Sequence, residues 1–358
     1  MEIRNHTPFE VEALPLEWPD GGVNLTVVVK GTFEIGSGGV VTPAGEQIPV
    51  AFGDETYEEE GYDSVKFESD MVPFKPRADI ALVGRAHAPD GRMVESLDVS
   101  MNVGSVKRRI RVIGDRYWRC AGRLLRARPT RPRPFAVMDL VYERAFGGID
   151  MTGGGFCAEN LVGRGFCAKK SKKTLDGAPL PNLEDPDHLI RKWKDHPKPV
   201  GFGFCGKAWA PRSGYLGTYD ERWREERAPR PPEDFRMDFY NAAHPELQVS
   251  GYLKGNERVD LLNMSSEGRL RFQLPGIRVS GAAVKSFEQP AGQPPPGQET
   301  AGSGEPKETP VFREEIPFNL DTLCLIPEDK RLYMVWRGRC PVQDVIASEV
   351  REVEVRSL

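Results

Sequence analysis

With 358 residues, 39% of them hydrophobic and 28% charged, the chain has the balance of a folded globular protein with one large domain or two ordinary ones, which excludes a disordered or fibrous class. Lysine plus arginine (49) nearly cancels aspartate plus glutamate (53), so the net charge of -4 gives no electrostatic ground for nucleic acid or an anionic membrane as the main partner. Six scattered cysteines without a C-x-x-C pair read as free thiols, and no stretch approaches the length of a membrane span.

The opening MEIRNHTPFEV lacks the charged-then-apolar order of a secretory signal, and a cytoplasmic protein is expected. Residues 1–128 read as an N-terminal β-sheet region. In NLTVVVKGTFEI, Leu25, Val27, Val29, Phe33 and Ile35 share one parity and Thr26, Lys30, Thr32 and Glu34 the other, which predicts a half-buried strand. The run Leu97 to Val103 and VKRRIRVI from Val106 repeat the pattern, both after ADIALVGRAHA, another strand-like run from near Ala78, with a tight turn at APDG.

Residues 129–245 change character: Gly and Pro become dense, aromatics stand singly, and a loop-rich region with a few short helices is expected. One predicted helix is EDPDHLIRKWK, with Asp185 as N-cap and Leu189, Ile190 and Trp193 on one face. A second follows Asp220 as cap and ends before Pro229, with Tyr219 and Trp223, and Asp220 and Arg224, four residues apart. DFRMDFYN adds a short turn with Phe235 and Phe239 together. Residues 246–358 return to strands in GRLRFQL, RLYMVWRG and REVEV, interrupted by a Pro/Gly-rich segment, 288–310, expected to be a flexible excursion because it has too few apolar residues to offset its ordering entropy. The fold class expected is mainly β, with β-sandwich-like sheets, and the three regions are compatible with one compact unit.

Chemistry-bearing motifs meet an ordinary explanation in each case. GFGFCGKA, Gly201 to Ala208, fits G-x-x-x-x-G-K, but Ala208 stands where a phosphate loop needs a hydroxyl, and Pro211 stops a following helix; a glycine turn with Phe202, Phe204 and Trp209 in the core is expected instead. The five histidines show no metal-ligand spacing, and no strained Ser or Cys elbow is present, so no catalytic, metal or cofactor residue is assigned. Glu143 and Asp220, with Trp209 and Trp223, leave open a carbohydrate-binding or carbohydrate-hydrolysing pair. Against it, Asp115 precedes Arg116, Glu143 precedes Arg144, and Asp220 and Glu221 precede Arg222 and Arg224; arginine beside a carboxylate lowers its pKa, the wrong direction for a general acid. Asp115, Arg116, Trp118, Glu143, Arg144, Trp209 and Trp223 are therefore expected to be structural anchors. ARPTRPRPF, with Arg128, Arg131 and Arg133 stiffened by prolines, is a solvated loop or a docking strip for a protein, and Arg222 and Arg224 could join it as partner-binding residues.

The ordered phrases KPRADIALVGRAHAP, GDRYW, YERAFGG, PNLEDP, GFGF with W-x-P-R, GTYDERW, PPEDF with FYNAA, and LDTLCLIPEDKRLYMVWRG resemble the bacterial domain-of-unknown-function family twenty-one sixty-nine, from near Phe9 to the last strand. The resemblance implies an adaptor, or effector-specific chaperone, of type VI secretion that loads a secreted effector toxin onto the VgrG or PAAR-type spike, with no established reaction, no cofactor, no nucleic acid and no membrane as partner.

Overall fold

The computed structural model describes residues 1–58, 63–121, 126–169, 175–286, 311–343, 347 and 349–358. The segment 288–310, expected to be a flexible excursion, lies outside the described residues.

The strand Val23–Ile35 organises the largest sheet, because 13 extended residues rich in β-branched side chains can pair along their whole length. Glu10–Glu17 and Val41–Pro43 bond along one side of it and Arg331–Val342 along the other. Phe318–Ile326 follows as an antiparallel neighbour, then Ala78–Leu82 in parallel, then the short Gln248–Val249, to complete seven strands. Both ends of the chain thus supply one sheet. A five-stranded sheet runs Leu183–Glu184, Val106–Ile113, Ser96–Val103, Arg258–Leu262, Arg269–Gln273, and a four-stranded one pairs Glu2–His6 with Val350–Ser357, then Val279–Ser286 and Val311–Ile316. The main core brings the three sheets together, with Leu25, Val27 and Val29 in one cluster with Val99, Met101, Ile110, Ala283 and Val353. The protein is mainly β, as the alternation predicts.

Two expectations need correction. The strand Val23–Ile35 is not half-buried: Thr26, Lys30 and Thr32 are as enclosed as the apolar parity, because a second cluster of Val28, Val50, Val65, Ala81, Phe204 and Tyr333 covers the other face. Two of these polar residues find partners, Lys30 Nζ at 2.7 Å from Asp70 and Thr32 through its backbone and hydroxyl with Gln47 and Ile48, whereas the Thr26 hydroxyl is buried without one. The helix predicted from Asp185 is absent. Carboxylates there take the backbone donors a helix would use: Glu184 accepts the Ile190 N–H at 2.7 Å, Asp185 that of Asp187 at 2.9 Å, and Asp195 those of Arg191 and Lys192 at 3.0 and 2.8 Å. Among the described residues no helix is long and apolar enough to cross a membrane.

The loop-rich residues are fastened to the large sheet by a buried polar network. Asp79, fully enclosed, accepts from Lys75 Nζ at 2.9 Å, Asn241 Nδ2 at 3.0 Å, and the Ala242 and Ala243 N–H groups at 2.9 and 3.2 Å. Lys75 also reaches Thr322 Oγ1 at 3.0 Å, Thr322 donates to Asp321 at 2.9 Å, and Asp321 accepts Arg337 Nε at 2.6 Å. Arg337 Nη1 then bonds the carbonyls of Asp70 and Val72 at 2.6 and 2.9 Å. Removing one partner of such a pair leaves a buried charge uncompensated. Lys75→Ala should cost about 3–5 kcal/mol in urea unfolding; a loss below about 1 kcal/mol would show that Asp79 is neutralised by its other donors alone.

Candidate functional site

The predicted anchors Asp115, Arg116 and Trp118 follow the strand Val106–Ile113 of the five-stranded sheet into the irregular middle. After Val106–Ile113 the chain turns at Gly114, where a Cβ would lie 1.8 Å from the Arg133 carbonyl oxygen, so that glycine lets the RPRPF strip cross close by. Arg116 then points inward and ion-pairs with buried Glu184, while also donating to the Pro181 carbonyl at 3.1 Å. Burial raises the Glu184 pKa from its ordinary value, and Arg116 works against that rise. Asp115 accepts from Asn182 Nδ2 at 3.0 Å and lies 3.7 Å from Arg144. Trp118, buried, opens the strand Trp118–Ala121, which pairs with Arg126–Pro129, and packs in a separate cluster with Phe146, Cys157, Cys167 and Leu180. Cys157 and Cys167 share this cluster as free thiols.

Structure and sequence differ over which arginine holds which acid. Glu143 binds Ser64 with both oxygens, the N–H at 2.6 Å and the hydroxyl at 2.9 Å, rather than Arg144; Arg116 takes Glu184 rather than Asp115. The partners come from 68 and 79 residues away and are brought close by the fold rather than by chain order; Glu143 and Arg144 themselves share the 3-10 turn Tyr142–Arg144. Glu143, Arg144 and Arg164 line a cavity of about 710 Å³ with Tyr57, Lys66 and Asp139. Beneath Glu143, Tyr142 meets buried Trp209 edge to face at 5.2 Å. Gly201 lies so close to Tyr142 that a Cβ would sit 2.6 Å from its ring, and Phe202 and Phe204 are buried as expected. Lys207 is held by Asp54 at 2.8 Å.

The helix Glu221–Glu226 forms as predicted. Asp220 caps it by accepting the Trp223 N–H at 2.8 Å, and Tyr219 packs on Trp223 at 4.6 Å between ring centroids. The ion pair, however, joins Arg222 to Glu226 at 2.9 Å; Asp220 is occupied as cap, and Arg224 makes no ion pair among the described residues. Trp223 is half-buried, its Nε1 donating to the Arg230 carbonyl at 2.8 Å. Asp220 and Trp223 line a different cavity from Glu143, so the two carboxylates do not flank one ligand position. Of the strip arginines, Arg128 is exposed, Arg131 donates to Glu95 at 2.6 Å while most of its side chain stays in solvent, and Arg133 lies 5.8 Å from the Tyr117 ring centre.

The anchors that sequence reasoning missed are the most deeply buried: Lys75 on Asp79, Arg212 on Glu68, Lys30 on Asp70, and Arg337 on Asp321. Their signal was a charged residue inside an apolar run, as Lys30 is within TVVVKGTF and Asp79 within RADIALV.

A further cleft, of about 590 Å³, is lined by Lys107, Arg108, Arg109, Lys198 and His244 with Asp185 and Glu246. Burial, with Arg108 and Lys198 nearby, lowers the His244 pKa from 6.5 to about 3. The folded protein keeps this imidazole neutral while the unfolded chain protonates it below about pH 6.5, so its contribution to stability is lost as pH falls from there toward 3. Stability should drop by about 2 kcal/mol from this group between about pH 7 and pH 5, and His244→Gln should flatten that part of the pH profile in chemical denaturation. At the capped helix, Asp220→Ala should weaken the turn by about 1 kcal/mol, read as roughly fivefold faster amide exchange of Trp223; unchanged exchange would mean that packing of Trp223, not the cap, holds the helix.

The sequence model of one bacterial family, described as uncharacterized protein conserved in bacteria (DUF2169), matches residues 20–337. No curated protein and no solved structure matches the chain.

Proposed function

We propose that this chain, which belongs to that bacterial family, is a non-enzymatic adaptor: it binds a secreted effector in the cytoplasm and helps load it onto the VgrG/PAAR spike of a type VI secretion system. One observation carries the adaptor part. The carboxylates that a reaction would need are occupied as acceptors that fix irregular backbone: Glu143 on Ser64, Glu184 on Arg116 and Ile190, Asp220 on Trp223. Arg128, Arg131, Arg222 and Arg224 lie at the surface, Arg131 paired with Glu95 and Arg222 with Glu226, and half-buried Trp223 stands between Arg222 and Arg224. Arginine and aromatic residues on a pre-organised surface are the groups that dominate protein–protein affinity, because little ordering entropy is lost when they bind. The secretion context is supported by the resemblance of the long ordered phrases from KPRAD to VWRG.

The test is capture of partners by the tagged protein from its native lysate, identified by mass spectrometry after a moderate salt wash. A spike protein or toxin-like effector in stoichiometric amount is the expected result, and bait alone would remove the adaptor reading. Arg131→Glu with Arg133→Glu, and separately Arg222→Glu with Arg224→Glu, should keep the unfolding midpoint. At least one of the pairs should lower partner affinity tenfold or more, and full binding by both would place the contact elsewhere.

A further inference from the structure

At the far end of the buried network, the strand Arg331–Val342 carries Arg337 and Arg339 two residues apart and therefore on one face. Both line a cavity of about 150 Å³ walled by Pro73, Phe74, Tyr252 and Pro317. Arg337, buried, spends Nε on Asp321 and Nη1 on two carbonyls, and its Nη2 has no acceptor. Arg339 lies 4.0 Å from the Trp18 ring centre and 4.9 Å from that of Phe74, and makes no ion pair among the described residues. Asp321, the carboxylate lining this cavity, is already taken by Arg337 and Thr322, and Lys75 by Asp79. The wall thus carries one more positive charge than it neutralises. Two further features mark the place. Trp18 Nε1 is a second buried donor without an acceptor, and Tyr252 holds a backbone φ of +65°, a conformation that a bulky residue rarely adopts, while its hydroxyl bonds the Lys75 carbonyl at 2.8 Å.

We propose that this cavity binds a carboxylate, placed between the Arg339 guanidinium and the free Nη2 edge of Arg337, and that the carboxylate is an acidic side chain of the protein partner. A planar anion matches guanidinium donors, and a cavity of about 150 Å³ has room for the end of an Asp or Glu side chain. Nη2 is closed to bulk water in the free protein, so an entering oxygen reaches it only with a local shift of the cavity wall. The rim of Trp18, Phe74, Tyr252 and Arg339 has the composition of an interface centre. The source of the carboxylate rests on the adaptor reading; the chemistry of the site does not.

Calorimetric titration at low salt with acetyl-Gly-Glu-Gly-amide, its Gln counterpart and glutarate tests both parts. The Glu peptide should bind saturably and at least tenfold tighter than the Gln peptide, and Arg339→Gln should abolish this difference while leaving the unfolding midpoint unchanged. Saturation by glutarate but not by the peptide would keep the carboxylate site and overturn the partner side chain as its occupant. No saturable binding of either, or binding that Arg339→Gln leaves intact, would overturn the site. Partner capture repeated with Arg339→Gln separates the two readings: a captured partner with no carboxylate binding by the wild-type protein removes the pocket and keeps the adaptor, whereas carboxylate binding with no captured partner does the reverse.

Discussion

The Asp79 carboxylate is the constraint on which much of the rest depends. It is fully enclosed on a strand of the seven-stranded sheet, and an ionised group there is tolerable only when its lone pairs are all met. Lys75 supplies the compensating charge and the segment Asn241 to Ala243 supplies three N–H donors, so the price of burying the carboxylate is that this loop must lie against the sheet. Through Lys75 and Thr322 the same network continues to Asp321 and Arg337, across strands that come from opposite ends of the chain. Its charges cancel, which lets it cross the interior of a β-protein without a net desolvated ion.

The phrases quoted for the resemblance meet one another in space. KPRAD meets FYNAA through Asp79; GDRYW meets PNLEDP through Arg116 with Glu184 and Asp115 with Asn182; LDT meets VWRG through Asp321 with Arg337. W-x-P-R supplies Arg212, whose guanidinium bonds Glu68 and the carbonyls of Cys205 and Phe239, and PPEDF supplies Asp234, which accepts from Thr218. These are clamps on irregular backbone. A middle region with few regular hydrogen-bond ladders must satisfy its N–H and C=O groups through side chains, and arginine–carboxylate pairs do this with fixed geometry. On the adaptor reading proposed above, such clamps would present a pre-organised loop surface, so that binding a partner would order little that is not ordered already.

Where local chemistry decides, the sequence was legible. Strands form at Val23–Ile35 and Ala78–Leu82, though both are buried on two faces; those at Ser96–Val103, Val106–Ile113 and Arg269–Gln273 follow the period-two alternation, and the helix after Asp220 follows its cap and the prolines behind it. Where two local signals compete, it was not. The stretch from Asp185 has both a helix pattern and carboxylates able to bond backbone N–H groups, and the latter prevail because Glu184 is itself fixed by Arg116 from the distant connection that follows Val106–Ile113. The anchors Trp118 and Trp209 are buried as their type suggests, but neither the Ser64 partner of Glu143 nor the Glu184 partner of Arg116 could be read from neighbours in sequence.

The sequence by itself determined the mainly β character, the loop-rich middle and the short capped helix, because side-chain parity, proline and a capping carboxylate act within a few residues of themselves. Only the tertiary structure decided that strands from the two ends of the chain share one sheet and that Lys30 and Thr32 lie inside. It also chose which carboxylate each arginine takes, and it left Arg337 and Arg339 together over a small cavity with one charge unanswered. Pairing of strands and of ions depends on distance in space, and contacts such as Arg337 with Asp70, 267 residues apart, leave no local trace in the order of the amino acids.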